Sequence, residues 1–181
     1  MKRKTIITLA LALALAGSDG GRSSFYSSQV EYLQPVHLDA SIAYVSPSLG
    51  QVTLVGFSEA EEGPVVTRVP IGRDAQAAFA SRDGSRLFVI CHGAREGEVR
   101  EADVQEESLH VIDAATGEST VYTLGNPFTA LAESPSGRWV LVYFDTMIPG
   151  TNPNLISVID MEAEPSETNP GSISIRTLGS I

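Results

Sequence analysis

Apolar runs rich in Val, Ile, Leu and aromatic residues punctuate the chain. They read "QVTLVGF" (51–57), "RLFVI" (86–90), "WVLVYF" (139–144) and "NLISVI" (154–159). Clusters of Gly, Pro, Asn, Asp and Ser separate them. Short β-branched runs bounded by turn residues predict strands. The runs are nearly continuous and do not alternate with polar residues, so they predict strands covered on both faces. "DAATGES" (113–119) predicts a polar hairpin turn, and no helical periodicity is evident beyond the first residues.

The pattern repeats. "SRDGSRLFVI" (81–90) and "SPSGRWVLVY" (134–143) align with Ser81 on Ser134, Gly84 on Gly137 and Val89 on Val142. Val111-Ile112-Asp113 and Val158-Ile159-Asp160 are identical tripeptides. "VYTLG" (121–125) echoes "IRTLG" (175–179), with "RVPIG" (68–72) a weaker copy; Gly72, Gly125 and Gly179 stand 53 and 54 residues apart. A period of this length, built from short strands, indicates small sheets that bury their faces by stacking on one another. Four-stranded units repeated radially form a β-propeller.

The order A-x-x-S-P-x-G, apolar run, V-I-D, T-L-G resembles the YVTN-type β-propeller repeat of exported bacterial and archaeal proteins. The resemblance spans about residues 33–179. It departs from the family in a degenerate first unit, where "SPSLG" (46–50) serves as a hairpin loop, and in its count of only three units. The expected fold is therefore all-β, an incomplete propeller at 33–181. Blade one is expected at about 33–72, with strands near 33–38, 41–45, 51–57 and 65–71. Blade two is expected at 73–125, with strands near 75–80, 86–91, 108–113 and 119–124. Blade three is expected at 126–179, with strands near 128–133, 138–144, 154–160 and 172–178. Propellers close with about 4–8 blades. Three form an arc with two open apolar faces, so the chain is expected to be part of a longer propeller, a truncated frame or one part of an oligomeric ring, with association through the exposed blade faces.

The N-terminus adds a location. Lys2-Arg3-Lys4 precede the apolar stretch Thr5 to Ala16, and small residues sit at Ala14 and Ala16. This is a secretory signal pattern at 1–16, with cleavage between Ala16 and Gly17. The apolar stretch is shorter than the roughly 20 residues of a spanning helix. A flexible tether is expected at 17–32. Leu15-Ala16-Gly17-Ser18 resembles a lipobox with Ser in place of the lipidated Cys. Ser18 has no sulfur for a thioether, so a soluble exported protein of the periplasm or cell surface is favoured over a lipoprotein that has lost its anchor.

Charge and chemistry narrow the function. Twelve basic residues against 22 acidic give a net charge of −10, and Lys2, Arg3 and Lys4 hold three of the positive charges. Such a chain repels phosphate backbones, which disfavours nucleic-acid binding. The lone cysteine, Cys91, excludes an intramolecular disulfide and is expected as a buried small hydrophobe. The loop 92–108 carries Glu96, Glu98, Glu101, Asp103, Glu106 and Glu107 against Arg95 and Arg100. Carboxylates in such number could hold a divalent cation, with Glu96, Glu98, Glu101 and Asp103 as the candidate ligands. The spacing fits no calcium-loop pattern, so a solvated loop is the expectation. Cys91-His92 lacks the further ligands of a zinc site. The remaining histidines are His37 and His110, and His110 is expected as a satisfied core or interface residue. Asp113 and Asp160 are expected to accept backbone N–H groups at equivalent turns.

No Gly-x-Ser-x-Gly, phosphate loop, His-Glu-x-x-His or dinucleotide fingerprint is present. No cofactor is expected. In YVTN-type propellers the loops from second to third strand share a rim with the blade-to-blade connections, and that rim commonly holds the ligand site. The expected function is a non-enzymatic binding or scaffold module at the cell envelope, taking a protein or small ligand on loops 92–107 and 145–153. The rival is a fragment of a propeller enzyme such as a lactonase or redox-enzyme subunit.

Overall fold

The computed structural model describes residues 31–57, 63–94, 104–145, 148–163 and 173–177. The expected signal segment with Leu15, Ala16, Gly17 and Ser18 lies outside the described residues, as do Glu96, Glu98, Glu101 and Asp103.

Among the described residues there are strands and no helix. Blade one holds β1 (Val36–His37), β2 (Ser41–Ser46), β3 (Gln51–Phe57) and β4 (Pro64–Pro70). Blade two holds β5 (Ala75–Ala80), β6 (Arg86–Cys91), β7 (Ser108–Asp113) and β8 (Ser119–Thr123). Blade three holds β9 (Ala130–Glu133), β10 (Trp139–Tyr143), β11 (Leu155–Asp160) and β12 (Ile173–Thr177). Each blade is a four-stranded antiparallel sheet whose strands pair in chain order. This is an all-β arc of three propeller blades.

The middle blade explains the continuous apolar runs. Side chains alternate across a strand. Leu87, Val89, Cys91 and Ile112 therefore turn one way, into a cluster with Ala43, Val45, Val52, Leu54 and Val69 of blade one. Phe88, Ile90, Leu109 and Val111 turn the other way, against Val140, Val142 and Ile159 of blade three and Phe128 of the connecting segment. A strand sandwiched between two sheets has no polar face to show, so β6 needs apolar residues at every position. The terminal blades differ. Among the described residues, one face of β3 and one face of β10 meet another blade, so the expected cover of "QVTLVGF" and "WVLVYF" on both faces is seen there on one. On the open sides Phe57 is 68% exposed and Trp139 38%.

The repeated turns share one chemistry. In blade two the Ser81 hydroxyl accepts the Arg86 N–H at 2.9 Å, and the Gly84 N–H donates to the Ser81 carbonyl at 2.9 Å. In blade three the Ser134 hydroxyl accepts the Trp139 N–H at 3.0 Å, and Gly137 donates to the Ser134 carbonyl at 2.9 Å. Gly84 and Gly137 both sit at positive φ, which glycine adopts without a Cβ penalty. The Asp83 carboxylate accepts from Ser81, from the Ser85 N–H and from the Ser85 hydroxyl, which holds it far below the ordinary carboxylate pKa. Asp39 of blade one donates its N–H to the Gly84 carbonyl at 3.1 Å, so this turn also ties two blades together.

Two strand starts shift inward by two residues or more. The first strand shrinks to Val36–His37 because Pro35 has no N–H to donate. The ninth begins at Ala130, because Pro127 and a turn in which the Phe128 N–H reaches the Asn126 carbonyl precede it. Asp113 accepts the Ala115 and Thr116 N–H groups as expected, and chiefly the Thr116 bond lowers its pKa. Asp160 departs from its counterpart. It accepts one backbone N–H, from Glu162, and otherwise pairs with Arg138, whose guanidinium bonds both its oxygens at 3.2 and 2.9 Å. Arg138 follows Gly137 where Ser85 follows Gly84, and only the longer side chain reaches the second turn.

Candidate functional site: the rim between blades one and two

Three backbone segments meet on one rim. They are the β2–β3 turn (Pro47 to Gly50), the blade-to-blade connection (Ile71 to Asp74) and the base of the β6–β7 loop (Gly93, Ala94, Gln105). They line an open cleft of about 600 Å³, with Glu31 at its edge. The second-to-third-strand loops and the blade connection thus share a rim around one concavity.

Backbone bonds hold the connection in place. The Arg73 N–H donates to the Gln105 side-chain oxygen at 2.9 Å. The Arg73 carbonyl accepts the Gly93 N–H at 3.1 Å, and the Asp74 carbonyl accepts the His92 N–H at 3.0 Å. Ala94 and Gln105 exchange both N–H···O bonds, at 2.9 and 3.0 Å. Asp74 sits at φ 53° and is the one non-glycine residue at positive φ among those described. Aspartate tolerates this region better than most side chains. Its carboxylate accepts from the Gln76 amide at 2.7 Å, and the β5–β6 register slips just beyond, between Ala75 and Ala77. The tight turn sets Arg73 and Asp74 side by side at the cleft, both exposed.

The sequence reading passed over Arg73 and Asp74. Their only signal was their place after Gly72, the position equivalent to Gly125, where a blade connection begins. Of the expected loop, Gly93, Ala94 and Gln105 line the cleft, and the acidic stretch 95–103 lies outside the described residues. The segment 145–153 belongs to blade three and is remote in sequence from this rim. There Asp145 accepts the Thr129 hydroxyl at 2.6 Å, and positions 146–147 lie outside the described residues.

Cys91, His92 and His110 do not converge on a metal. Cys91 is fully buried between blades one and two, and burial pushes its thiol up to about 12. His92 turns to blade three, where its Nε2 lies 2.9 Å from the Phe128 carbonyl and must be the donor. Among the described residues no group of three His, Cys, Asp or Glu side chains could hold a metal ion.

His110 is half satisfied, not fully as expected. Its Nε2 accepts the Gly72 N–H at 2.8 Å, which places the ring proton on Nδ1, and that buried Nδ1 has no partner among the described residues. The Gly72 backbone packs closely at this point, since a Cβ on it would lie 3.0 Å from Cys91, 3.1 Å from Ser108 and 3.2 Å from His110. Burial lowers the His110 pKa. The unfolded chain takes up a proton as pH falls through its ordinary pKa of about 6.5, and the folded ring resists. Stability is therefore expected to drop between pH 7 and pH 5. Asp113 and Asp160, with lowered pKa values, stay ionised across that window. In His110→Gln the amide oxygen can accept the Gly72 N–H without titrating. Urea midpoints at the two pH values should differ less for this variant than for the wild type; equal differences would count against the assignment.

No protein-family model and no curated protein matches the chain. Solved structures do. A protein assigned as a 6-phosphogluconolactonase from Bacteroides fragilis is 11% identical, with 80% of this chain and 37% of that one covered at a TM-score of 0.47. A second protein so assigned, from Bacteroides uniformis, is 12% identical, with 88% and 57% covered at 0.35. Hydrazine synthase of Kuenenia stuttgartiensis is 15% identical, with 80% and 53% covered at 0.32. The chain spans well under two thirds of each. At such scores the likeness carries no argument of its own, and the blade geometry rests on the strand order and packing described above.

Proposed function

We propose that the protein is an exported YVTN-type repeat protein that acts as a binding or scaffold module at the cell envelope. Its contact surface is the rim between blades one and two. The observation that carries this reading is the convergence of three loops, fixed by backbone bonds, on a polar cleft. Loops held by a rigid scaffold are where binding residues concentrate. Arg73 and Asp74 offer opposite charges side by side. Glu96, Glu98, Glu101 and Asp103, which follow Ala94 in the chain, are the proposed contacts for a cationic group or a divalent ion.

The lactonase reading has less support. Among the described residues the cleft is lined by one arginine and two carboxylates and by no histidine or cysteine. General acid–base work needs a positioned group of matched pKa, and nothing in that lining supplies one beside a nucleophile.

The test is capture from an envelope extract by the immobilised protein. Wild type is compared with Arg73→Ala/Asp74→Ala and with a Gly-Ser replacement of residues 95–103. Arg73 and Asp74 are exposed and belong to neither buried core cluster. Specific partners retained by the wild type are expected to fall at least severalfold with either variant. An unchanged capture pattern for both would refute the rim as the contact surface.

A further inference from the structure

The junction of blades one and two holds a second concavity, at the strand ends opposite the rim cleft. It is a notch of about 220 Å³. On blade one it is lined by the cross-strand row Ser41, Gly56 and Val65, and by Leu54 and Thr67 of the next row but one. Side chains alternate across a strand, so both rows turn toward blade two, as Leu54 does in the core. On blade two the lining is Ala114 and Ala115, at the turn after β7. That turn is fixed against blade one. The Ala114 N–H donates to the Ser85 carbonyl at 2.8 Å, and a Cβ on Gly117 would fall 2.7 Å from the Thr67 methyl carbon.

The repeat supplies a comparison. Arg86 pairs with Asp113 as Ser41 pairs with Gly56, and the Asp113 N–H donates to the Glu118 carbonyl. Arg86, Asp113 and Glu118 are thus the equivalent row of blade two. With Met161 of blade three they line a notch of the same volume, about 220 Å³. The blade geometry makes a notch at both junctions, and the side chains set its chemistry. Between blades two and three the row carries three charged groups. Between blades one and two, among the described residues, no ionisable side chain lines the notch.

The polar side chains there are two hydroxyls, of Ser41 and Thr67. Ser41 is 6% exposed, and its hydroxyl has no partner among the described residues. A buried hydroxyl without a bond is costly, and a ligand that bonds it removes that cost. A charged ligand would shed water here and meet no opposite charge. An apolar cavity of about 150 Å³ holds benzene, so a notch of about 220 Å³ admits one ring with a polar substituent. A mostly apolar lining with few polar groups is the ordinary composition of a small-molecule site.

We propose that this notch binds a small uncharged ring compound carrying one hydroxyl group. The ring packs on Leu54, Ala114 and Ala115, and the hydroxyl bonds Ser41. The site is separate from the rim cleft, which lies at the other ends of the same strands.

The experiment titrates phenol into the isotope-labelled full chain and follows amide chemical shifts. Benzoate and benzylammonium are the charged counterparts, and toluene lacks the hydroxyl. Saturable shifts with phenol are expected at Gly56, Val65, Ala114 and Ala115, with both charged compounds at least tenfold weaker. Ser41→Ala is expected to weaken phenol at least threefold and to leave toluene unchanged. Gly56→Leu is expected to abolish saturation by filling the notch. A Cβ on Gly56 meets the Ala40 carbonyl at 3.5 Å, an ordinary contact, so the backbone accepts a side chain there. Far-UV circular dichroism checks that the sheets persist in both variants, and Ser41→Ala, which removes a single oxygen, carries the test if the leucine variant does not fold. The absence of saturable shifts at these amides overturns the proposal, as does equal binding of a charged compound. A phenol affinity unchanged by Ser41→Ala also overturns it, because the hydroxyl is then not the polar contact. None of these outcomes bears on capture by the rim, which is tested with different variants.

Discussion

Replacing Phe88 by alanine is expected to destabilise the protein by about 3–5 kcal/mol, the range for emptying a fully buried aromatic site. Phe88 is fully buried and lies at the centre of the cluster that joins blades two and three. Its strand partners across the sheet are Phe79 and Val111. Both are held in hydrogen-bonded ladders and cannot collapse into the space. A loss of this size is a large part of the roughly 5–15 kcal/mol that keeps a domain folded. Urea denaturation followed by fluorescence would measure it, since the single tryptophan, Trp139, sits in blade three. Phe57→Ala is the control. That ring is 68% exposed, so its removal is expected to cost less than about 1 kcal/mol. Equal losses for the two variants would contradict the placement of Phe88 between blades.

Gly93→Ala is expected to be the most damaging change at the rim. Gly93 sits at φ +77°, and a Cβ there would fall 2.2 Å from the Gln105 carbonyl oxygen. That neighbour is backbone and cannot rotate away. The left-handed conformation alone costs a side chain about 1–2 kcal/mol. Relieving the clash must also part Ala94 from Gln105, breaking their two bonds, and pull the Gln105 amide from the Arg73 N–H. The expected total is about 2–4 kcal/mol, summing strain with hydrogen bonds of about 1 kcal/mol each. Gly125→Ala separates the contributions, because Gly125 has φ +67° but open space around its Cβ position. It should cost only the strain. Hydrogen exchange at Arg73, Ala94 and Gln105 should accelerate in Gly93→Ala and stay unchanged in Gly125→Ala. Similar stabilities for the two variants would show that the close approach at Gly93 is not maintained in solution.

Most of the strand plan could be read from residues. The turn "SRDG" works through a serine hydroxyl and a glycine at positive φ, both local requirements, so the motif at 81–84 is recognisable again at 134–137. Gly72 and Gly125 mark the blade connections for the same reason, as short-range backbone geometry leaves short-range sequence marks. The Arg138–Asp160 pair was hidden because it depends on two hairpins of one blade lying side by side. Arg73 and Asp74 were hidden because they form no motif. They matter only where Gln105, thirty-two positions away from Arg73, caps the connection.

The sequence by itself determined the repeat, the strands and their order, since each strand and turn answers to residues within a few positions. It could not tell a strand covered on both sides from one covered on a single side. "RLFVI" and "WVLVYF" are equally apolar, yet among the described residues only the first has a blade on each face. Burial is a property of neighbours distant in the chain, and only the stacked blades decide it. The same holds for His110, whose ring meets Gly72 across the junction of blades one and two, and for the cleft, which exists only where three separate loops converge.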